Sequence, residues 1–245
     1  MSDDRAAAGK VVIDLSGIEP LNEISTQGAR VTLGTGMNLG RLAREAVGEN
    51  GLIRQTASLI ANPLVRNKIT FLQALDPESP FFDITTPLVL LGSKVRMQGP
   101  AGKRTLSIRD FLEAATKGLK KGEIPVAIEY PRLPRDERVG FFRVARMGGK
   151  GSVSAAVKMK LVRQVCGDPE IVVSSLTLIP LRAKAAEKEI ADKPAAEELV
   201  KKTSALAADE ILELSDSDSN YERSLIEIAV ARTLRVILEG ALTRQ

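Results

Sequence analysis

The spacing of apolar residues predicts alternating strands and helices in the first half of the chain. Short apolar runs at 10–15 and 29–33 predict two strands, because a glycine turn signal closes each run. From Asn38, a residue suited to cap a helix, apolar residues recur every three or four positions and predict a helix that ends near Gly48. A second amphipathic helix follows, and Pro63 ends it.

The next stretch predicts a hairpin, a helix and a strand. A Gly-Pro-Ala-Gly turn joins two short strand patterns at 94–98 and 103–106, which indicates a hairpin. Ser107 is placed to cap the helix that follows, and residues 124–128 predict a further strand.

A charged segment with two prolines, residues 131–138, divides the chain into two predicted domains, 1–133 and 134–245. Beyond it, residues 152–161 alternate between apolar and polar, which predicts a strand with one buried face. The same patterns predict an antiparallel sheet with helices on one face, from strands at 139–144 and 171–178 and helices at 181–190, 195–207 and 220–242.

Composition is that of an ordinary globular protein, since 44% of the 245 residues are hydrophobic and 27% are charged. No apolar run is long enough for a membrane span, and the acidic, then small and polar N-terminus lacks the features of a secretory signal, so we expect a cytoplasmic protein. Nucleic-acid binding is not expected, because the +4 net charge is dispersed and aromatic residues make up only 3%.

Residue types restrict the available chemistry further. The chain has no histidine and a single cysteine, Cys166, which excludes the usual Ser/His and Cys/His nucleophiles and most transition-metal sites. We therefore predict no catalytic residue and no metal site, and expect Cys166 to be an inert free thiol because no histidine can activate it.

Many moderate sequence matches occur in one co-linear order along the chain. Those of the first half are IDLSGIEPLNEI, VTLGTGMNLGRLA, LIANPLVRN, DPESPFFDITTPLVLLGSKVRMQGPAGKRTLSIRDFLEA and GEIPVAIEYP; those of the second half are LTLIPLRAKAAEKEI, LVKKTSALAADEI and SNYERSLIEIAVARTLRVILEGA. From about Lys10 onward this order resembles the FAD-binding medium subunit of molybdenum hydroxylases, such as carbon monoxide and xanthine dehydrogenases.

The resemblance implies an α+β fold: a shortened vanillyl-alcohol-oxidase-type FAD-binding domain, followed by the C-terminal domain that medium subunits of this family share. It also implies FAD in this subunit, with a molybdopterin large subunit and a 2Fe-2S small subunit as partners. In such a complex the flavin would pass electrons from iron-sulfur clusters to NAD or a quinone.

The sequence departs from the family where FAD phosphates should bind. In the family, two glycine-rich segments let backbone N–H groups approach the pyrophosphate. The first would lie upstream of the matching stretch, and the ten leading residues are too few to contain it. The second, a Thr-Ile-Gly-Gly-Asn run, should follow Arg66-Asn67, but residues 68–74 read KITFLQA and contain no glycine. The sequence therefore predicts that FAD binding is lost or weakened.

The resemblance carries five cofactor-binding candidates over, conditional on retained FAD: Arg66, Asn67, Thr70, Asp76 and Asp83. Three interpretations of the acids stay open: flavin contacts, a divalent-metal site, or carboxylates that cap helices and form turns. Arg66 has an equivalent structural interpretation, a loop arginine paired with Asp76 or Glu78.

Two further segments carry weaker signals. Gly34-Thr35-Gly36 with Gly40 has the strand and helix of a phosphate loop but not its spacing, and a strand-to-helix turn is the favoured interpretation. Residues 139–166 hold six basic residues and no acid, which is typical either of a solvated sheet face or of a docking surface for an acidic partner.

The combined evidence predicts a structural medium subunit that holds the large and small subunits, or that pairs with a second, flavin-competent medium subunit. The alternatives are a functional FAD-binding electron-transfer subunit and a free-standing scaffold.

Overall fold

The computed structural model describes residues 14–15, 17–45, 51–145, 152–175 and 177–239. The predicted strand at 10–15 lies outside these residues except for its last two, which are not in a strand. The predicted end of the first helix near Gly48 also lies outside them.

Five antiparallel strands of the described residues form the first sheet, in the spatial order β1-β2-β5-β3-β4. The strands are β1 (Ile24–Gln27), β2 (Arg30–Gly34), β3 (Lys94–Gly99), β4 (Gly102–Ser107) and β5 (Ile124–Pro131). The predicted hairpin is confirmed, because β3 and β4 pair in register from Lys94 with Ser107 to Gly99 with Gly102.

Six α-helices in the described part of the chain accompany this sheet: α1 (Leu39–Glu45), α2 (Leu52–Leu59), α3 (Pro63–Arg66), α4 (Phe71–Ala74), α5 (Thr85–Leu90) and α6 (Ile108–Lys117). Both predicted caps are confirmed. The side chain of Asn38 accepts a hydrogen bond from the backbone N–H of Arg41, and that of Ser107 accepts one from Asp110. Helix α2 ends three residues before Asn62, because Ile60 is already extended.

The second sheet contains four antiparallel strands in sequence order among the described residues, and three helices pack on one of its faces, as the sequence predicts. The strands are β6 (Glu137–Ala145), β7 (Ser152–Val162), β8 (Val165–Ser174) and β9 (Leu181–Arg182). The helices are α7 (Lys184–Ile190), α8 (Glu197–Leu214) and α9 (Asn220–Leu238).

Several predicted boundaries differ from the structure; the helix predicted at 195–207, for example, spans Glu197–Leu214. The strand predicted at 171–178 ends at Ser174. The helix predicted from Leu181 begins at Lys184, because Leu181 and Arg182 instead extend the sheet by pairing with Val173 and Val172. Pairing with a neighbouring strand thus overrides the helical pattern of this short stretch.

The prediction that residues 152–161 form a strand with one buried face is wrong for the first half of β7. Its first half is buried on both faces, since Ser154 and Ala156 are as inaccessible as their neighbours Val153 and Ala155. The reason is a second layer: the hydroxyl oxygen of Ser154 lies 2.9 Å from that of Thr86 in α5. Helix α5 of the first half therefore covers the face that the pattern leaves to solvent.

A shared core joins the two halves. Phe141 of β6, Ala156 of β7 and Val172 of β8 belong to the same buried cluster as the apolar residues of α1, α2 and α5. A second cluster lies between the opposite face of this sheet and α7 to α9. The division at residues 133 and 134 stays a prediction.

Phe141→Ala should lower the free energy of unfolding by about 3–5 kcal/mol, because it empties a buried aromatic position in the shared core. The neighbouring Phe142, which is partly exposed, provides the control, and Phe142→Ala should cost about 1 kcal/mol. Denaturant unfolding followed by two probes, one in each half, checks both values. Separate transitions for the two halves of the wild-type chain would contradict a shared core.

Candidate functional site

The backbone N–H groups of residues 68–74, where the sequence resemblance predicts a phosphate-binding glycine run, all donate within the chain. Phe71 donates its N–H to the carbonyl of Met37 at 2.6 Å, and Leu72 donates to Thr35 at 2.9 Å. The other five N–H groups bond locally: Lys68 and Ile69 to the carbonyl of Val65, Thr70 to the side chain of Gln73, and Gln73 and Ala74 to the side chain and carbonyl of Thr70.

These contacts result from the local sequence. Thr70 and Gln73 form a capping box that starts helix α4, in which the side chain of each accepts a hydrogen bond from the backbone N–H of the other. Phe71 is fully buried among the core residues, so its side chain anchors the segment against the turn at 35–37. As folded, residues 68–74 do not fit a pyrophosphate, because none of their backbone N–H groups is free to donate to one.

Arg66 stabilises the end of a helix. Its guanidinium donates hydrogen bonds to the backbone carbonyls of Ser58 at 2.6 Å, Ile60 at 3.3 Å and Ala61 at 3.0 Å, at the C-terminus of α2. The partial negative charge of a helix C-terminus favours a cation there. The alternative pairing of Arg66 with Asp76 or Glu78 is wrong.

Asn67 explains one of the glycines that suggested a phosphate loop. A Cβ atom on Gly40 would lie 2.1 Å from the Oδ1 atom of Asn67, so Gly40 lets α1 approach α3 closely. Likewise, a Cβ on Gly34 would lie 2.3 Å from the carbonyl oxygen of Leu21. The glycines of this segment serve a tight strand-to-helix turn, as the favoured interpretation predicts.

The two candidate aspartates have different environments. Asp76 is exposed, and its carboxylate accepts a hydrogen bond from the backbone N–H of Glu78 at 2.9 Å, which is a local turn contact. Asp83 is only 5% exposed. Its Oδ2 atom accepts hydrogen bonds from the Nε of Arg143 at 3.0 Å and from the hydroxyl of Ser152 at 2.6 Å. Asp83 therefore links the acidic turn to β6 and β7.

Arg143 belongs to the basic stretch at 139–166. Two other basic residues of this stretch also have acidic partners, with Lys158 at 3.0 Å from Glu170 and Lys160 at 2.9 Å from Asp168. The hydrogen bond to Asp168 raises the pKa of Lys160. Arg146 and Lys150 lie outside the described residues. Pairing with acids from neighbouring strands thus balances much of the positive charge that the sequence pattern shows.

The described part of the chain does not bring conventional catalytic groups together. Within the described ranges, no three Cys, Asp or Glu side chains lie close enough to hold a metal ion. Cys166 is fully buried, and burial raises the pKa of its thiol to about 11. Burial also raises the pKa of Tyr130, so neither group suits acid–base chemistry near neutral pH. No helix in the described part of the chain has the length and apolar character needed to cross a membrane.

The architecture, two antiparallel sheets that share a core, is that of chains from oxidoreductases of known structure. Carbon monoxide dehydrogenase from Hydrogenophaga pseudoflava superimposes with a TM-score of 0.77 at 23% identity, over 94% of this chain and 82% of that chain. Quinoline 2-oxidoreductase from Pseudomonas putida 86 gives a TM-score of 0.80 at 21% identity, over the same shares of 94% and 82%. The protein therefore has the α+β fold of these chains.

Sequence comparison identifies the family. A model of the FAD binding domain in molybdopterin dehydrogenase matches residues 1–133, more than half of the chain, so the chain belongs to this family. It is 23% identical over 244 residues to the glyceraldehyde dehydrogenase medium chain of Sulfolobus acidocaldarius, covering 95% of this chain and 85% of that protein. It is 26% identical over 212 residues to the carbon monoxide dehydrogenase medium chain of Afipia carboxidovorans, covering 83% and 74%. The resemblance that the sequence motifs indicate is confirmed.

Asp83→Asn should lower the free energy of unfolding by about 1–3 kcal/mol, because it leaves the guanidinium of Arg143 without its carboxylate partner in a partly buried position. Asp76→Asn is the matched control and should change stability by less than about 0.5 kcal/mol, since asparagine also accepts the turn hydrogen bond. Chemical denaturation measures both. Equal effects of the two substitutions would contradict the linking role of Asp83.

Cys166 should react with iodoacetamide far more slowly than an exposed cysteine. A pKa of about 11 leaves roughly one thiol in a thousand ionised at about pH 8, and the side chain is also inaccessible. Mass spectrometry of the native chain over time checks this rate, and labelling in guanidinium, which should be fast, is the control. Complete labelling of the native chain within minutes would show that the thiol is accessible.

Proposed function

We propose that the chain is a structural medium subunit of a cytoplasmic molybdenum-hydroxylase complex, and that its own phosphate cradle no longer binds FAD. The single observation that supports this most is the closed set of hydrogen bonds at residues 68–74. All seven backbone N–H groups that would face a pyrophosphate already have acceptors in the chain.

Opening this segment for a phosphate would be costly. The N–H groups of Phe71 and Leu72 would have to leave the carbonyls of Met37 and Thr35, and these acceptors would then lose their partners. The side chain of Phe71 would also have to leave the core, and exposing a large aromatic residue costs about 2–3 kcal/mol. The free energy of pyrophosphate binding would have to offset this cost, and residues 68–74 contain no glycine that would let the backbone approach the phosphates closely.

The features that this chain shares with its relatives support a structural role. The relatives with similar sequences are medium chains by name, and the fold extends over both halves of this chain. We therefore infer a molybdopterin large subunit and a 2Fe-2S small subunit as partners, and a second, flavin-competent medium subunit as a further partner that would carry the electrons.

A functional FAD-binding electron-transfer subunit is the second candidate. The match of residues 1–133 to an FAD-binding domain model favours it. In that case FAD would be held by contacts other than the backbone of residues 68–74, with Arg66, Asn67, Thr70, Asp76 and Asp83 as the family-derived candidates.

Flavin content distinguishes the two candidates. The chain, purified in complex with the subunits that accompany it in its host, should carry no flavin assigned to this subunit. When the isolated chain is added to FAD, the fluorescence of the FAD should stay unchanged. Acid extraction followed by chromatography measures bound flavin, and circular dichroism shows that the chain is folded. One flavin per chain in either experiment would overturn the proposal and favour the second candidate.

A further inference from the structure

The outer side of helix α9 exposes large apolar residues along its whole length. Tyr221 is 44% exposed, Ile228 is 42% exposed and Val236 is 51% exposed. Every other helix in the described part of the chain exposes at most one large hydrophobic residue. Single exposed apolar residues are ordinary, but a row of them on one element is typical of a surface that binds another protein.

These residues share one face of the helix. They follow one another at intervals of seven and eight residues, each about two helical turns, so their side chains leave α9 on the same side. The opposite side packs on the second sheet, where Val230 and Leu234 are fully buried. The exposed face, called the α9 stripe below, consists of Tyr221, Ser224, Ile228, Arg232 and Val236.

The order of residues along the α9 stripe is self-complementary in the antiparallel direction. Ile228 lies at the centre, with Tyr221 seven residues before it and Val236 eight residues after it. An antiparallel second copy centred on Ile228 would therefore bring Tyr221 opposite Val236 at both ends. Ser224 and Arg232 each lie four residues from Ile228, so the short side chain of one copy would face the long side chain of the other.

Charge favours the same direction. Arg232 has no acidic partner within the described ranges, and its guanidinium lies 5.1 Å from the centroid of the Phe142 ring. Antiparallel packing would direct it toward the N-terminal end of the other α9, where Asp216 and Asp218 are exposed. The two copies of Arg232 would then stand about 12 Å apart along the helices. Parallel packing would instead place these like charges side by side, where they repel.

We propose that two copies of this chain associate through the α9 stripe, packed antiparallel about a two-fold axis at Ile228. Helix α9 has 19 residues and is about 28 Å long. A contact between two helices of this length is at the small end of specific interfaces, so we expect a dissociation constant on the order of 1–10 µM. The association would not use the first half of either chain, where the flavin candidates lie.

Analytical ultracentrifugation of the full-length chain at micromolar concentrations tests the association. We expect a reversible equilibrium between monomer and dimer. Ile228→Lys should weaken it by at least about 100-fold, because it removes the apolar centre and places two like charges at the axis. Leu64→Lys is the matched control and should leave the equilibrium unchanged, because Leu64 is 78% exposed on α3 in the first half of the chain.

Disulfide cross-linking tests the direction of packing. Cys166 is the only native cysteine and is fully buried, so a cysteine introduced on α9 would be the one accessible thiol. Ile228→Cys chains should form covalent dimers under mild oxidation, because a disulfide requires close approach of the two residues. Tyr221→Cys chains mixed with Val236→Cys chains should cross-link to each other more than either cross-links to itself.

A chain that stays monomeric up to about 100 µM, or a dimer that Ile228→Lys leaves intact, would overturn the proposal. Preferred self-linking of Tyr221→Cys chains would overturn the antiparallel arrangement. Ile228→Cys that reacts with maleimide in the isolated chain but is protected in the purified complex, without cross-linking to itself, would show that a different subunit covers the stripe and would also overturn it. None of these results depends on flavin content, which the extraction measures independently.

Discussion

The buried carboxylate of Asp83 is the interaction on which the arrangement of the two halves depends. A carboxylate that is almost inaccessible to water is stable only if donors surround it, and Arg143 and Ser152 supply them from two adjacent strands of the second sheet. The contacts of Asp83 with Arg143 and Ser152 therefore hold the acidic turn against this sheet. The shared apolar core around Phe141 also holds the two halves together. A polar contact provides orientation where apolar packing alone is non-directional.

The candidate cofactor segment obeys the same requirement for satisfied polar groups. Backbone N–H groups away from solvent need acceptors, and in residues 68–74 the chain itself provides them. Arg66 and Thr70, which the sequence resemblance makes candidates for flavin contacts, both stabilise helix ends here. Family membership and the use of individual residues are thus separate properties: the fold is retained, while these side chains serve packing and capping.

Local signals in the sequence predict local structure well in this chain. The caps Asn38 and Ser107 and the hairpin between β3 and β4 depend on neighbours within a few residues, and all three are confirmed. Contacts between distant residues explain the errors. Strand β7 is buried on both faces because α5 covers it, and the acids that pair with Lys158 and Lys160 come from the next strand, so a pattern read along one strand cannot reveal either.

The interlocked hydrogen bonds of residues 68–74 also have an evolutionary consequence. No single substitution can free the N–H groups of Phe71 and Leu72, because each is held by a carbonyl of a different residue and Phe71 is held in addition by the core. Several changes would be needed together, and each alone would destabilise the chain. Selection for stability therefore favours retention of this conformation, whatever role the segment has.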